Sequence, residues 1–248
     1  MIGKLKREIE ETRVLLRCVP PLVLVFVVVS FVLMNLLANK SLASLPHWLA
    51  LDAGTLVSWI AFMSMDVLVK RFGPKAATKI SVIGVLFNLM VCSMFFVCSK
   101  VPGYWGESFA YEGQISNIVN QSLNNTFGGT WYVLFGSTVA ILVSTVVNNS
   151  LNFSIGRVFK KNPDSFVAYA CRSYISTTIG QFVDNLVFAL IVSVNFFGWT
   201  MQQAVMCALT GALVECLFEI AFSPIGFRIV RTWDRENVGR EYLDYIGE

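Results

Sequence analysis

The chain has 248 residues, of which 55% are hydrophobic and 14% charged, with a net charge of +3. This balance is typical of an integral membrane protein and argues against a soluble domain. A single histidine, His47, excludes a histidine-based metal site or triad, and the six cysteines are scattered without a C-x-x-C motif. We therefore expect neither a metal site nor a disulfide framework, and we expect no cofactor.

The first 18 residues mix basic and acidic side chains and predict a short charged helix before the first span. The apolar run that follows is too long for a cleavable signal and lacks a small-residue cleavage site. Six apolar segments follow, each near the ~20 residues that cross a bilayer. They cover residues 19–38, 51–71, 77–99, 131–156, 166–196 and 201–231. The prediction is a single all-α transmembrane domain, built as a bundle of six helices.

The connections between these segments differ in Lys and Arg content. Basic residues concentrate in residues 1–18, in the loops after the second and fourth spans, and in the tail 232–248. The positive-inside rule then places both termini in the cytoplasm. Tryptophans near the outer ends of the spans fit an aromatic belt, namely Trp48, Trp105, Trp131 and Trp199. Residues 100–130 form the one long external loop, with a short helix expected near residues 112–123.

The fifth span carries a polar stripe. Its members are spaced at i, i+4, i+7 and i+11 on a helix, with Gln181 beside them: Ser173, Thr177, Gly180 and Asp184. A charged side chain deep in a bilayer costs about 3 kcal/mol or more, so such residues face a bundle interior or an aqueous cavity. We expect Asp184 to be functional. The hydroxyls, Ser176 included, can equally well serve to hold helices together.

Other spans also contain buried polar residues. Asp66 has Lys70 one turn later, so an ion pair and a functional role are both open. Asn149 and Asn152 share one face of the fourth span, where amides can bind a heterocycle or join helices.

Glu215 and Glu219 lie one turn apart on the sixth span and repel each other when both are ionised. Either one holds a proton, which could couple transport to protons, or Arg172 neutralises one of them. Comparable depths favour an Arg172–Glu219 pair. Arg172 lies about 18 Å from Asp184 along its own helix, so Asp184 needs another partner. We expect the buried polar groups to converge on one cavity sized for a flat heterocycle.

Three blocks of sequence carry a family resemblance: Met65–Ala77, Arg172–Phe188 and Glu215–Pro224. On these blocks the chain resembles the queuosine precursor transporters, also called the VUT family of putative vitamin uptake transporters. Asn35 and Lys40 are similar to an Asn and a trailing Lys that the family has around its first loop. Two positions depart from the family. Asn149 stands where an Asp is common and Glu215 where a Lys is common, which should alter the preferred ligand charge.

The resemblance implies a six-helix importer of the cell (inner) membrane that salvages a queuosine precursor, a deazaguanine base such as preQ0, preQ1 or queuine. The residues that would bind this base are Asp184, Gln181, Thr177, Ser176, Arg172, Asn149, Glu219, Glu215 and Asn35. Candidates for coupling or gating are Asp66, Glu215 and Glu219. A carboxylate such as Asp184 would accept hydrogen bonds from the amino and ring N–H groups of the base.

The alternative function is a substrate-binding subunit of an energy-coupling-factor vitamin importer, which would need ATPase partners. Enzymatic activity is not expected, because the carboxylates lack the G-x-G-D setting of an intramembrane aspartyl protease. The expected partners are the planar base and membrane lipids, with no nucleic acid. A homodimer remains open.

Overall fold

The computed structural model describes residues 2–38, 40, 42, 51–128, 131–159, 165–196 and 198–247. Over these residues the fold is all-helical, which confirms the predicted class. His47 and Trp48 lie outside the described residues.

The chain begins with two helices at a steep angle. Helix α1 (Ile2–Cys18) carries the charged residues, and α2 (Pro21–Leu37) is apolar. They are bent by 107° at the break. Pro21 occupies the first turn of α2. A proline is favoured there because the N–H groups of the first turn have no partner within the helix and its fixed φ is already helical. The predicted charged helix before the first span is therefore present, and it lies across the direction of α2.

Helix α3 (Thr55–Lys100) is 46 residues long and is interrupted at Gly73, where φ is 82° and ψ is 166°. A straight helix of that length would measure about 69 Å, more than twice the ~30 Å of bilayer hydrocarbon. Pro74 follows directly and has no N–H to continue the helical ladder. The break coincides with the turn that the sequence predicts between the second and third apolar segments.

The second half of the chain is built from longer helices and short connections. Helix α4 (Gly113–Gly128) confirms the helix expected in the long loop, and a 3₁₀ turn (Gly106–Ala110) precedes it. Next come α5 (Trp131–Gly156) and α6 (Phe166–Phe188). Helix α6 ends in a π-helical turn (Ala189–Ser193) that leads into α7 (Val194–Phe196). Helices α8 (Met201–Arg235) and α9 (Arg240–Ile246) complete the chain.

Side-chain caps begin two of these helices. Ser165 accepts a hydrogen bond from the Ala168 N–H at the start of α6. Thr200 and Gln203 form a reciprocal capping box at the start of α8. Each cap satisfies N–H groups that a helix terminus leaves without a partner, so the sequence determines where α6 and α8 begin.

Four stretches of the described residues contain helix that is long and apolar enough to cross a membrane: Thr55–Lys100, the stretch that holds α4 and α5, Phe166–Ser193 and Met201–Arg235. The bent pair α1–α2 raises the number to five if it counts as one span. The protein is therefore a multi-pass membrane protein by length and composition.

Packing brings the polar faces of four helices together. Helix α6 packs between α5 and α8, while α3 contacts α2, α5 and α8. Large apolar side chains point outward, as Leu86 and Leu217 do, whereas Asp66, Gln181 and Glu219 are almost completely buried. This distribution suits a bundle with lipid outside and polar contacts inside, because lipid chains accept apolar side chains and leave polar groups without partners.

One end of the bundle is closed by ion pairs between α1 and the start of the second half of α3. Lys75 Nζ lies 2.7 Å from Glu11 Oε2 and Lys79 Nζ lies 2.8 Å from Glu8 Oε2. Tyr242 of α9 donates a hydrogen bond of 3.3 Å to Glu11. Both ends of the chain therefore lie at the same end of the bundle, which we call the terminal layer (α1, residues 71–79 and α9).

Gly73→Ala should destabilise the protein although nothing lies within 4 Å of the new methyl group. The φ and ψ angles of Gly73 fall in a region that only glycine occupies readily, and forcing another residue there costs about 1–3 kcal/mol. The measurement is chemical unfolding in detergent micelles. Gly3→Ala is the control, because it is also uncrowded but lies within α1. Equal stability of the two variants would contradict the assigned strain.

The ion pairs of the terminal layer should make stability depend on pH. Hydrogen bonds from Lys79 and Lys75 lower the pKa of Glu8 from 4.5 to about 2. A lowered pKa in the folded state gives a contribution that is present above pH ~4.5 and lost as the pH falls towards 2. At pH 6 the melting temperature of wild type should therefore be higher than that of Glu8→Gln. This difference in melting temperature should shrink as the pH falls from ~4.5 towards 2. Glu10→Gln, on the exposed side of α1, should show no such difference.

Candidate functional site

Asp66 is the centre of a buried hydrogen-bond network. Its Oδ1 accepts from Asn152 Nδ2 at 2.7 Å and from Asn148 Nδ2 at 3.3 Å. Its Oδ2 accepts from Thr177 Oγ1 at 3.1 Å and from the Ser173 hydroxyl. Four donors from α5 and α6 thus occupy the acceptor positions of one carboxylate on α3, which is the environment that stabilises an ionised group away from water.

Arg172 reaches this network through Asn152. Its Nε donates to the Asn152 backbone carbonyl at 3.1 Å and its Nη2 to Asn152 Oδ1 at 2.8 Å. The Asn152 amide therefore accepts a hydrogen bond from the Arg172 guanidinium and donates one to the Asp66 carboxylate. It bridges the positive group and the negative group. Gly156 gives the guanidinium room, because a Cβ there would lie 2.8 Å from Nε.

Glu219 joins the same network from α8. Its Oε1 lies within hydrogen-bond distance of the Ser173 hydroxyl, and its Oε2 has no hydrogen-bond partner among the described residues. The predicted Arg172–Glu219 ion pair is wrong, because no ion pair within the described part of the chain includes either residue. We call this group the Asp66 network: Asp66, Asn148, Asn152, Arg172, Ser173, Thr177 and Glu219.

A second polar group surrounds a small cavity of about 30 Å³, which we call the acidic cavity. Three carboxyl side chains line it, those of Asp52, Asp184 and Glu215. Ser144 donates a hydrogen bond of 2.7 Å to Asp184, and Ser58 donates one to Glu215. The other lining residues are Met34, Ala38, Gly54, Thr55, Ser58, Ser137, Asn185 and Phe188.

The acidic cavity is suited to a ligand rich in hydrogen-bond donors. Its lining includes carboxyl groups, an amide and hydroxyls, and no basic side chain of the described residues lines it. Its volume of about 30 Å³ holds a water molecule, whereas ligand pockets have about 300–1,000 Å³. A cavity of this size must widen to admit an organic ligand.

A smaller cavity of about 10 Å³ lies between the acidic cavity and the Asp66 network. Met34 lines both cavities, while Asn148 of the network and Ser144, the partner of Asp184, line the smaller one. The two polar groups are therefore consecutive along the bundle, separated by Met34 and its apolar neighbours. Movement of Met34 would join them.

Gln181 is buried on α6, three residues before Asp184 and four after Thr177. Both amide atoms of its side chain have no hydrogen-bond partner within the described part of the chain. A buried amide without a partner costs about 1–3 kcal/mol for each group that is left unsatisfied. Gln181 is therefore poised to bond to a water molecule or to a ligand.

The structure divides the predicted site residues between several places instead of one cavity. Asp184 and Glu215 line the acidic cavity, whereas Arg172, Thr177, Glu219 and the predicted coupling residue Asp66 belong to the Asp66 network. Three others have separate partners: Asn149 donates to Thr78, Asn35 donates to Cys92, and Ser176 donates to the carbonyl of Ser173. Glu215 and Glu219, one turn apart, therefore serve different groups.

Several residues of both groups were missed by the sequence reasoning. Asn148 was passed over for Asn149, although Ser144, Asn148 and Asn152 are spaced at i, i+4 and i+8 on α5. That stripe was readable in the sequence. Asp52 and Asn185 gave no such signal, because Asp52 precedes the first turn of α3 and Asn185 sits beside a more conspicuous carboxylate.

A family model described as "Putative vitamin uptake transporter" matches residues 52–229, which is well over half of the chain. The chain belongs to this family. The matched range contains every residue of the Asp66 network and all three carboxyl groups of the acidic cavity. No curated protein and no solved structure matches the chain. Membership in the putative vitamin uptake transporters favours transport over catalysis.

Asn152→Leu should destabilise this family member more than Asn149→Leu. The first change removes bonds to Arg172 and Asp66, and hydrogen bonds to charged groups contribute about 1.5–3 kcal/mol. The second removes one neutral bond to Thr78, worth about 0.6 kcal/mol inside a membrane protein. Unfolding in mixed micelles measures both. Equal losses would show that Asn152 does not connect the two charges.

Proposed function

We propose that the protein imports a planar, nitrogen-rich heterocycle across the cell membrane, and that this ligand is a queuosine precursor of the deazaguanine type. The acidic cavity is its binding site. One observation carries the proposal: three carboxyl side chains from separate parts of the chain line a single small cavity between the helices. Membership in a family of vitamin uptake transporters supplies the reaction class, which is transport.

The chemistry of the cavity matches the edge of such a base. An aminopyrimidinone edge presents adjacent N–H donors, and a carboxylate accepts two of them in parallel. Asp184 and Glu215 both offer that acceptor. The amide of Asn185 can answer the ring carbonyl, and Phe188 offers an aromatic face for stacking. Gln181 supplies further donor and acceptor groups once the cavity opens towards it.

The charge of the cavity favours a cationic member of this ligand class. Three carboxyl groups line it, those of Asp52, Asp184 and Glu215. An aminomethyl group on the base would place a positive charge among these carboxyl groups, whereas a neutral nitrile would leave them uncompensated. We therefore expect preQ1 to bind more tightly than preQ0.

We also propose six membrane crossings, by α2, the two halves of α3, α5, α6 and α8, with both termini in the cytoplasm. Four observations support this topology. Gly73 interrupts α3 near its middle, and α1 is bent by 107° from α2, as a helix on the membrane surface would be. Helices α1 and α9 touch, so an even number of crossings separates them. Basic residues in the terminal layer agree with a cytoplasmic position.

Binding requires the bundle to open. The acidic cavity holds little more than a water molecule, and Met34 closes it from the smaller cavity. A ligand that binds only the open form shifts the population towards that form by its binding energy. The closed structure is therefore one state of an alternating cycle, in which access to Asp184 changes from one side of the membrane to the other.

Asp184→Asn should weaken binding of preQ1 by about 10–100-fold, because one charge-assisted hydrogen-bond pair contributes about 1.5–3 kcal/mol. Titration calorimetry on the purified protein gives the affinity, and the rise in melting temperature gives an independent reading. Glu241→Gln, at the surface of α9, is the matched control and should bind as wild type does. Unchanged affinity in Asp184→Asn would exclude the acidic cavity as the site.

Uptake by proteoliposomes that contain only this protein separates a self-sufficient importer from an energy-coupling-factor subunit. An importer should accumulate or exchange preQ1 without ATPase subunits. Tight binding without any uptake or exchange would instead favour the substrate-binding subunit.

A further inference from the structure

The hydroxyl of Ser173 lies within hydrogen-bond distance of two carboxyl groups at once. One is Asp66 Oδ2 on α3 and the other is Glu219 Oε1 on α8. A serine hydroxyl carries one hydrogen and two lone pairs, so it can donate to only one of these oxygens. Towards the other carboxyl group it must accept, and that carboxyl group must supply the hydrogen.

Counting donors decides which carboxyl group is protonated. Asp66 accepts from Asn148, Asn152 and Thr177 in addition to Ser173, as an ionised carboxylate does. Glu219 is completely buried and receives no other donor from the described residues, and its Oε2 is left unpartnered. The consistent assignment runs in one direction: Glu219 donates to Ser173 Oγ, and Ser173 donates to Asp66.

The charges around the network agree with this assignment. Helix α6 contributes one cation, Arg172, together with the neutral hydroxyl of Tyr169, and α3 contributes Asp66. Helix α5 contributes the amides of Asn148 and Asn152, and α8 contributes Glu219, with Glu215 one turn away on Ser58. Arg172 and Asp66 balance each other, so an ionised Glu219 would bring an uncompensated charge into the bundle. Burial of such a charge is strongly unfavourable.

We infer that Glu219 is the binding site of an exchangeable proton and that transport of the ligand is coupled to that proton. This inference rests on the proposed transport function. When Glu219 binds a proton, its carboxylate becomes a carboxylic acid and the chain Glu219–Ser173–Asp66 closes between α8, α6 and α3. When the proton leaves, two carboxylates compete for one hydroxyl hydrogen and one cation. Their repulsion then opposes the contact of α8 with α3 and, through the shared Ser173 hydroxyl, the contact of α8 with α6.

The position of Glu219 links this event to the acidic cavity. Glu215 lines the cavity one turn from Glu219 on α8, and Asp184 lines it two turns beyond Thr177 on α6. The two helices that close around the proton are therefore the two that supply cavity carboxyl groups. Separation of α8 from α6 would widen the cavity, so proton occupancy of Glu219 selects between the closed and open forms.

The first experiment measures the proton and requires no ligand. Infrared spectra of the purified full-length protein, recorded from neutral to alkaline pH, report protonated carboxyl groups through their C=O stretch. Glu219→Gln should lack one such component that is present in wild type at neutral pH. Glu241→Gln, which changes a surface carboxylate, should retain the complete wild-type signal. An unchanged signal in Glu219→Gln would show that Glu219 is ionised, and would overturn the inference whatever the protein transports.

The second experiment measures coupling, with labelled preQ1 as the probe. Proteoliposomes are held at zero membrane potential by valinomycin and equal potassium, with the cytoplasmic-side compartment made alkaline. If one proton enters with each ligand, one pH unit should support up to about tenfold accumulation. Glu219→Gln should lose this accumulation but retain preQ1 exchange, because Glu219 does not line the acidic cavity. Glu241→Gln should accumulate preQ1 as wild type does.

The two experiments separate the failure of coupling from the failure of the proposed function. Accumulation driven by a sodium gradient, or full proton-driven accumulation in Glu219→Gln, would overturn proton coupling while leaving transport intact. Absence of uptake in every protein would contradict the proposed function. The infrared measurement would then still decide whether Glu219 holds the proton.

Discussion

A carboxylate that is removed from water must have its acceptor positions filled by protein groups, and this requirement organises the centre of the bundle. Asp66 meets it with four donors, two from α5 and two from α6. The geometry holds α3, α5 and α6 at fixed rotations about their axes, because each donor must point at the same two oxygens. Apolar packing between membrane helices is less specific, since lipid chains can replace most apolar contacts. The polar centre therefore supplies specificity of assembly as well as charge balance.

The carboxyl groups form two sets that share the same helices. Helix α6 carries Arg172 and Ser173 at one level and Asp184 about three turns further along, while Glu219 and Glu215 divide between the two sets on α8. Rigid helices transmit small rotations along their length. A rearrangement at the Asp66 network therefore also shifts the side chains that line the acidic cavity. Gln181, whose side-chain amide has no hydrogen-bond partner among the described residues, lies between the two levels.

Local chemistry and periodicity predicted much of this arrangement. The boundary between the second and third apolar segments marked the break in α3, and the charged residues of α1 separated it from α2. The cost of intramembrane charge indicated that Asp66, Asp184, Glu215 and Glu219 face inward. The choice of partner was not predictable, because depth along a helix says nothing about rotation around it. Arg172 and Glu219 have comparable depths, yet Arg172 turns to Asn152 of α5 and Glu219 to Ser173. Asp52 escaped detection because it contributes from a connection instead of a polar stripe.

The contacts of α1 also impose an order on biogenesis. Glu8 and Glu11 leave the ribosome before Lys75 and Lys79, and Tyr242 emerges after all four. During translation the acidic side chains of α1 must therefore stay solvated until the segment after Gly73 has been synthesised. The contact with α9 can form only after α9 has been synthesised. In a nascent chain truncated before α9, helix α1 would keep its ion pairs with Lys75 and Lys79 but lack the hydrogen bond from Tyr242.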